Sequence, residues 1–260
     1  MKKLLLPIAI LLFSCSQPEK ENKPKVYLAI LAHPDDEIAM APVLAKYAKN
    51  NTVYLLIGMD GRFGTKPGFP TGDSLVKVRQ QESNCGCQIL GIKPPFFLGF
   101  SDDLTHNETP KFMEQVYYLK QKIKKKIEEL NPDVILTFGP DGDTGQSDHR
   151  LISNATTEVI LNEGWAERFP LYYLAWSKKD SEKLRQALGF GLNTVNSKYY
   201  NVSISYNNEE EIKMINALDC YKSQITKEEI KVITEIESRD SDNVIHFRKL
   251  ITNNTKQTEF

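Results

Sequence analysis

The chain has 260 residues, with 33 Lys plus Arg against 34 Asp plus Glu and a formal net charge of −1. That length can bury a substantial core, in one large α/β domain or two small ones. The near-cancelled charge provides no electrostatic footprint for a nucleic-acid partner, and none is expected.

Met1-Lys-Lys leads into an apolar run from Leu4 to Phe13 and then Ser14 and Cys15. This is a basic start, a short apolar centre and a cleavage site, and the run is too short for a permanent membrane helix. Leu12-Phe-Ser-Cys15 resembles a bacterial lipobox. The resemblance implies a signal peptide over 1–14, lipid on Cys15 and a polar tether through 15–25, with the protein exported and held at the membrane on the periplasmic or outer-surface side of the cell envelope. The alternative is an ordinary secretory signal in which Cys15 has no role.

After the tether, apolar β-rich runs alternate with amphipathic stretches. Strands are predicted over Val26–Ala32, Thr52–Met59, Pro95–Gly99, Val134–Phe138 and Leu171–Trp176, with another near Tyr199–Ser205. Helices are predicted over Asp36–Lys49, Ser74–Leu90, Pro110–Leu130, Asp148–Leu161, Glu209–Ser223 and Lys227–Glu237. Pro42 is expected to delay or kink the first of them. Such alternation argues a mostly parallel sheet with helices on both faces, in one domain over 26–260. The lysines of Lys120–Lys126 read as a solvated helix face. Cys85, Cys87 and Cys220 read as buried small hydrophobes, with a bridge from Cys220 to either of the others open in an oxidising compartment.

Two segments carry chemistry. The run ending at Ala32 stops at His33, and Asp35, Asp36 and Glu37 crowd the helix entrance that follows. The carboxyl end of a central strand is where open α/β sheets place their sites. A histidine and two carboxylates there can hold a divalent metal and leave one carboxylate for proton transfer. Equally, Asp35 or Asp36 could simply cap the helix. The second segment, Leu136 to His149, again runs from an apolar strand into a glycine-rich loop and ends on Asp148-His149 at a helix start. Asp148 as a helix cap and a calcium loop around Asp141 and Asp143 are its alternatives. The calcium spacing fails at Ile152, where a bidentate glutamate belongs.

AHPDDE followed a hundred residues on by G-x-x-DH resembles the PIG-L/LmbE-type family of zinc-dependent N-acetylglucosamine deacetylases. Arg79-x-x-Glu82, Leu98-Gly-Phe-Ser-Asp102, Pro132-Asp-Val-Ile and Lys213-x-x-x-Ala217 with Ser223-Gln224 match further family motifs in the right order. The resemblance implies a Rossmann-like domain with its active site at the carboxyl ends of the strands, acting on an acetylated amino sugar. It implies His33, Asp36 and His149 as ligands of Zn2+ (or another divalent metal such as Fe2+), Asp35 as general base, and Asp148 in the catalytic set. Arg79 and Asp102 would face the sugar; for Arg79 a surface pair with Glu82 is the alternative, and for Asp102 a turn.

Two departures stand out. Gln146 replaces a histidine that in the family helps stabilise the oxyanion, and Thr144 replaces a tyrosine found in some members. Gln146 can offer an amide N–H but no charge. Tyr221 stands where histidine is frequent. These changes motivate a rival reading, a carbohydrate-binding lipoprotein that retains the metal pocket with weakened catalysis. A nucleotide site at Gly58–Gly64 is disfavoured, since its spacing is not G-x-G-x-x-G. His106 and His246 match nothing, and Trp165 and Trp176 read as core, with the lining of a carbohydrate groove as the alternative.

Overall fold

Val26–Leu31 is the most deeply buried strand of the protein, from Leu28 to Leu31 fully so, and everything else is arranged around it. The computed structural model describes residues 23–102, 104–238 and 242–252. The signal peptide read over 1–14, Cys15 and most of the tether lie outside the described residues. The sheet is built from β1 (Val26–Leu31), β2 (Thr52–Met59), β3 (Phe96–Phe100), β4 (Val134–Thr137), β5 (Leu171–Leu174), β6 (Val202–Ser205) and β7 (Val244–Lys249). Its order is β3-β2-β1-β4-β5-β7-β6. The first five strands run parallel, whereas β7 is antiparallel to both β5 and β6. The single mostly parallel α/β domain read from the sequence is the fold observed.

The helices are α1 (Ala41–Ala48), α2 (Asp73–Leu90), α3 (Thr109–Leu130), α4 (Ser147–Asn162), α5 (Lys178–Leu188), α6 (Asn208–Leu218) and α7 (Lys227–Glu237). Pro42 acts as expected: a 3-10 segment over Asp36–Met40 comes first, and the α-helix starts only where proline, lacking an N–H, falls in its first turn. The helix predicted to reach Ser223 ends at Leu218, and a turn carrying Cys220, Tyr221 and Ser223 follows. Helix α5 and strand β7 have no counterpart in the sequence reading.

Cys85 on α2 is bonded to Cys220 in the turn after α6, while Cys87 is a buried free thiol. The reading as buried small hydrophobes therefore holds for Cys87 alone. Gly86, between the two, lies against the Tyr221 ring, where a Cβ would come within 3.0 Å of Cε2. The bridge closes a loop of 135 residues. Closure of a loop that long stabilises the folded state by about 5 kcal/mol through the unfolded chain. A Cys85→Ser variant is accordingly expected to melt at a clearly lower temperature than the native protein in oxidising buffer, with the gap vanishing when both are reduced; equal melting under oxidising conditions would contradict the bridge.

Candidate metal centre and active site

In this sheet β2 and β3 are added on one side of β1 and β4 and β5 on the other, and this switch in strand order between the parallel β1 and β4 places a crevice outside their carboxyl ends. His33 and Asp36 follow β1, and Asp148 and His149 open α4 after β4. The two segments, more than a hundred residues apart, therefore meet. His33, Asp36 and His149 each offer a ligand atom, and these atoms lie within 4.8 Å of one another. Donors sharing one tetrahedral ion sit about 3.4 Å apart. His149 Nε2 is already 3.2 Å from Asp36 Oδ1. Two imidazoles and a carboxylate form a donor set suited to a divalent transition metal.

The capping alternative for Asp36 resolves in a particular way. Its Oδ2 accepts the backbone N–H groups of Ala32 (3.0 Å) and His33 (2.7 Å), which turns Oδ1 toward His149. Burial would raise this carboxyl, but His149, His33 and the backbone donor outweigh it and hold it at about 2. Asp35 behaves oppositely. Burial pushes it up to about 6, with Arg79 pulling it down and Asp36 pushing it further up. Adjacent carboxylates are thus separated into an anion fit for ligation and a base poised near neutrality. Asp35 adopts φ 107° and ψ −20°, an unusual backbone for a residue other than glycine, and its side chain caps nothing.

His149 stacks on Phe138 with ring centroids 4.3 Å apart. Burial works against its protonation, but Asp36 and Asp143 prevail and raise it to about 9. His33 is also raised; burial opposes, and the contacts to Asp148 and Asp36 win. Its Nε2 lies 3.3 Å from Asp148 Oδ2, and Asp148 Oδ1 accepts the Thr105 hydroxyl. Asp148 therefore orients an imidazole. A field that favours two imidazolium ions is one that favours a cation in their place.

Arg79 is buried rather than paired at the surface with Glu82, which instead accepts from Ser223. The guanidinium donates to the carbonyls of Pro34 and Gly61 and lies 3.0 Å from Asp35 Oδ1. It lines the pocket, but its contacts fix the base. Gly61 (φ 73°) makes this possible, since a Cβ there would sit 2.7 Å from the guanidinium. Asp102 accepts from the Gly61 and Phe63 amides and lies 4.0 Å from His33 Nε2, so it pins the loop after β2 as well as lining the pocket. No helix opens after Gly64 until Asp73, against a nucleotide site there.

The pocket has a volume of about 460 Å3. Gln146 is exposed at it, and the buried Thr144 hydroxyl beside it has no hydrogen-bond partner. The sequence reading missed Asp143, whose Oδ2 lies 3.8 Å from His149 Nδ1, a nitrogen buried without a partner. At that distance the carboxylate acts on the ring through its charge. Trp176, read as core, lines the pocket and donates its indole N–H to Asp143. Trp165 does pack on the core, edge-on to Phe169. His106 is exposed, and His246 stacks on Tyr200 away from the metal ligands. Tyr221 is buried, its hydroxyl donating to Glu37, a carboxyl that burial raises to about 8.

The geometry has close relatives. Residues 28–160 match the family described as PIG-L, GlcNAc-PI de-N-acetylase. A probable N-acetyl-alpha-D-glucosaminyl L-malate deacetylase 2 of Bacillus anthracis is 30% identical over 162 residues, which is 60% of this chain and 69% of that protein. Among solved structures, the N,N'-diacetylchitobiose deacetylase of Pyrococcus horikoshii superposes with a TM-score of 0.59 at 20% identity, covering 87% of this chain and 84% of that one. A 4-carboxy-2-hydroxymuconate hydratase of Pseudomonas putida KT2440 has the same TM-score of 0.59 at 14% identity, over 90% of this chain and 100% of that one. The fold alone therefore does not fix the reaction. Both histidine segments fall inside the matched half of the sequence, and the chain belongs to the PIG-L family of N-acetyl-sugar deacetylases.

Proposed function

We propose that this protein is a zinc-dependent hydrolase that removes the N-acetyl group from an N-acetylglucosamine-containing glycan or glycoconjugate. The observation that carries this reading is the convergence of His33, Asp36 and His149 with Asp35 held just outside them by Arg79. Zinc held by such a triad lowers the pKa of water to about 7 and polarises an acyl oxygen. Asp35 then takes the proton from the attacking water and delivers it to the departing amine. Asp148 orients the His33 imidazole, Asp143 places negative charge behind His149, and Gln146 offers an amide N–H to the acetyl oxygen. We place the protein outside the cytosol, anchored through lipid on Cys15; the Cys85–Cys220 bridge supports an oxidising compartment.

The test uses protein starting at Ser16 and folded under oxidising conditions. We expect about one zinc per chain, acetate release from N-acetylglucosamine compounds, loss of that release on chelation and its return with zinc. Acetate release that survives complete metal removal would overturn the reading. The binding-protein alternative is favoured by Gln146 and by the unpartnered Thr144 hydroxyl. Gln146→His separates the two. A gain on the order of 10² in turnover means the native oxyanion side is impaired, and a loss means Gln146 is matched to its own substrate.

A further inference from the structure

Next to the metal pocket lies a second cavity of about 220 Å3. Met214, Leu218, Ile233 and Ile245 line it, all buried and contributed by α6, α7 and β7. Ile38, Ala39, Trp176, Leu184 and Leu188 line both cavities, so the two adjoin along these side chains. Beyond them the metal pocket continues apolar through Leu192 and Phe190, the latter left 48% exposed. Polar groups share the lining: Lys179 pairs with Asp242 and Lys183 with Asp180, and Tyr206, Glu237 and His246 also reach the cavity.

Protein interiors rarely leave voids of this size, and an apolar cavity of about 150 Å3 already binds benzene. A polar group placed against Met214, Leu218 and Ile233 would lose its water with nothing to replace it. A hydrocarbon chain gains with each methylene it buries. Most of the lining comes from positions 175–246, beyond residues 28–160 that match the family.

We propose that this cavity receives the alkyl chain of an amphipathic N-acetylated amino sugar, whose acetamide meanwhile sits at the metal. The placement of the sugar rests on the hydrolase reading; the apolar subsite does not.

Methyl and hexyl glycosides of N-acetylglucosamine test it. In the native holoenzyme, kcat/KM for the hexyl compound should exceed that for the methyl compound by about 10-fold or more. Calorimetry on an Asp35→Asn protein should show the same preference in binding. N-hexanoylglucosamine, set against N-acetylglucosamine, reports whether the chain is carried on the nitrogen instead; a preference confined to that series would overturn the proposal, since the chain would then belong to the acyl group and not to a sugar that carries an acetamide. Val244→Glu, at the edge of the second cavity only, should bring the ratio close to 1; if that variant does not fold, the native comparison decides alone. Equal turnover and equal binding in both series would overturn the subsite and leave the hydrolase standing. Tighter hexyl binding with no acetate released would do the reverse.

Discussion

Replacing His149 with alanine is expected to abolish both metal content and acetate release. The ring sits in the first turn of α4, 4% exposed, stacked on Phe138 and 3.2 Å from Asp36. With it gone, one imidazole and one carboxylate remain, too few for a closed three-ligand site. Metal analysis should fall from about one equivalent to near none, and turnover by about 10³-fold or more as water activation is lost. Circular dichroism and an intact Cys85–Cys220 bridge should show that the fold survives. A His149→Ala protein that keeps its zinc and its activity would remove the basis of the proposed centre.

Asp35→Asn should have the opposite signature, full metal content with turnover lowered by about 10² to 10⁴. The amide keeps the shape of the side chain and cannot accept a proton. The pH dependence follows from the position of this carboxyl. Held at about 6, Asp35 is ionised above that pH and protonated below it, so kcat/KM should fall as pH drops through about 6. Arg79 pulls the same pKa down, so Arg79→Gln should move the acid limb to higher pH. A limb that stays in place, or moves lower, would show that Arg79 does not govern the base. Rate profiles on zinc-loaded native and variant proteins measure both effects.

Much of this centre was legible in the sequence because the strands that deliver it are simple to read. Val26–Leu31 and Val134–Thr137 are short apolar runs buried in the sheet; the first stops just before His33, and the second leads through a glycine-rich loop to Asp148 and His149. Helix α5 escaped because KKDSEKLRQAL has only two apolar positions to make a stripe, Leu184 and Leu188, flanking one alanine. Its signal was the capping box of Ser177 and Asp180, both hydrogen bonds of which form. Strand β7 had a period-two pattern in Ile245 and Phe247, both facing inward, but one too short to separate from the surrounding polar residues. Asp143 and Trp176 were out of reach for another reason. Their roles come from one touching the other across 33 positions of sequence, and a Gly-Asp-Thr-Gly turn looks the same whether or not an imidazole lies behind it. Arg79 was singled out as a sugar-facing residue, and only coordinates show its guanidinium turned toward Pro34, Gly61 and Asp35.

The dihedral angles at Asp35 bear on how such an enzyme could be lost. An L-residue held at φ 107° costs the native state about 1–3 kcal/mol. Glycine would sit there at ease, so the substitution that deletes the base also relaxes the chain. The same substitution would leave the buried Arg79 guanidinium without its carboxylate, so the relief gained by the backbone at this residue is set against a charge stranded in the interior.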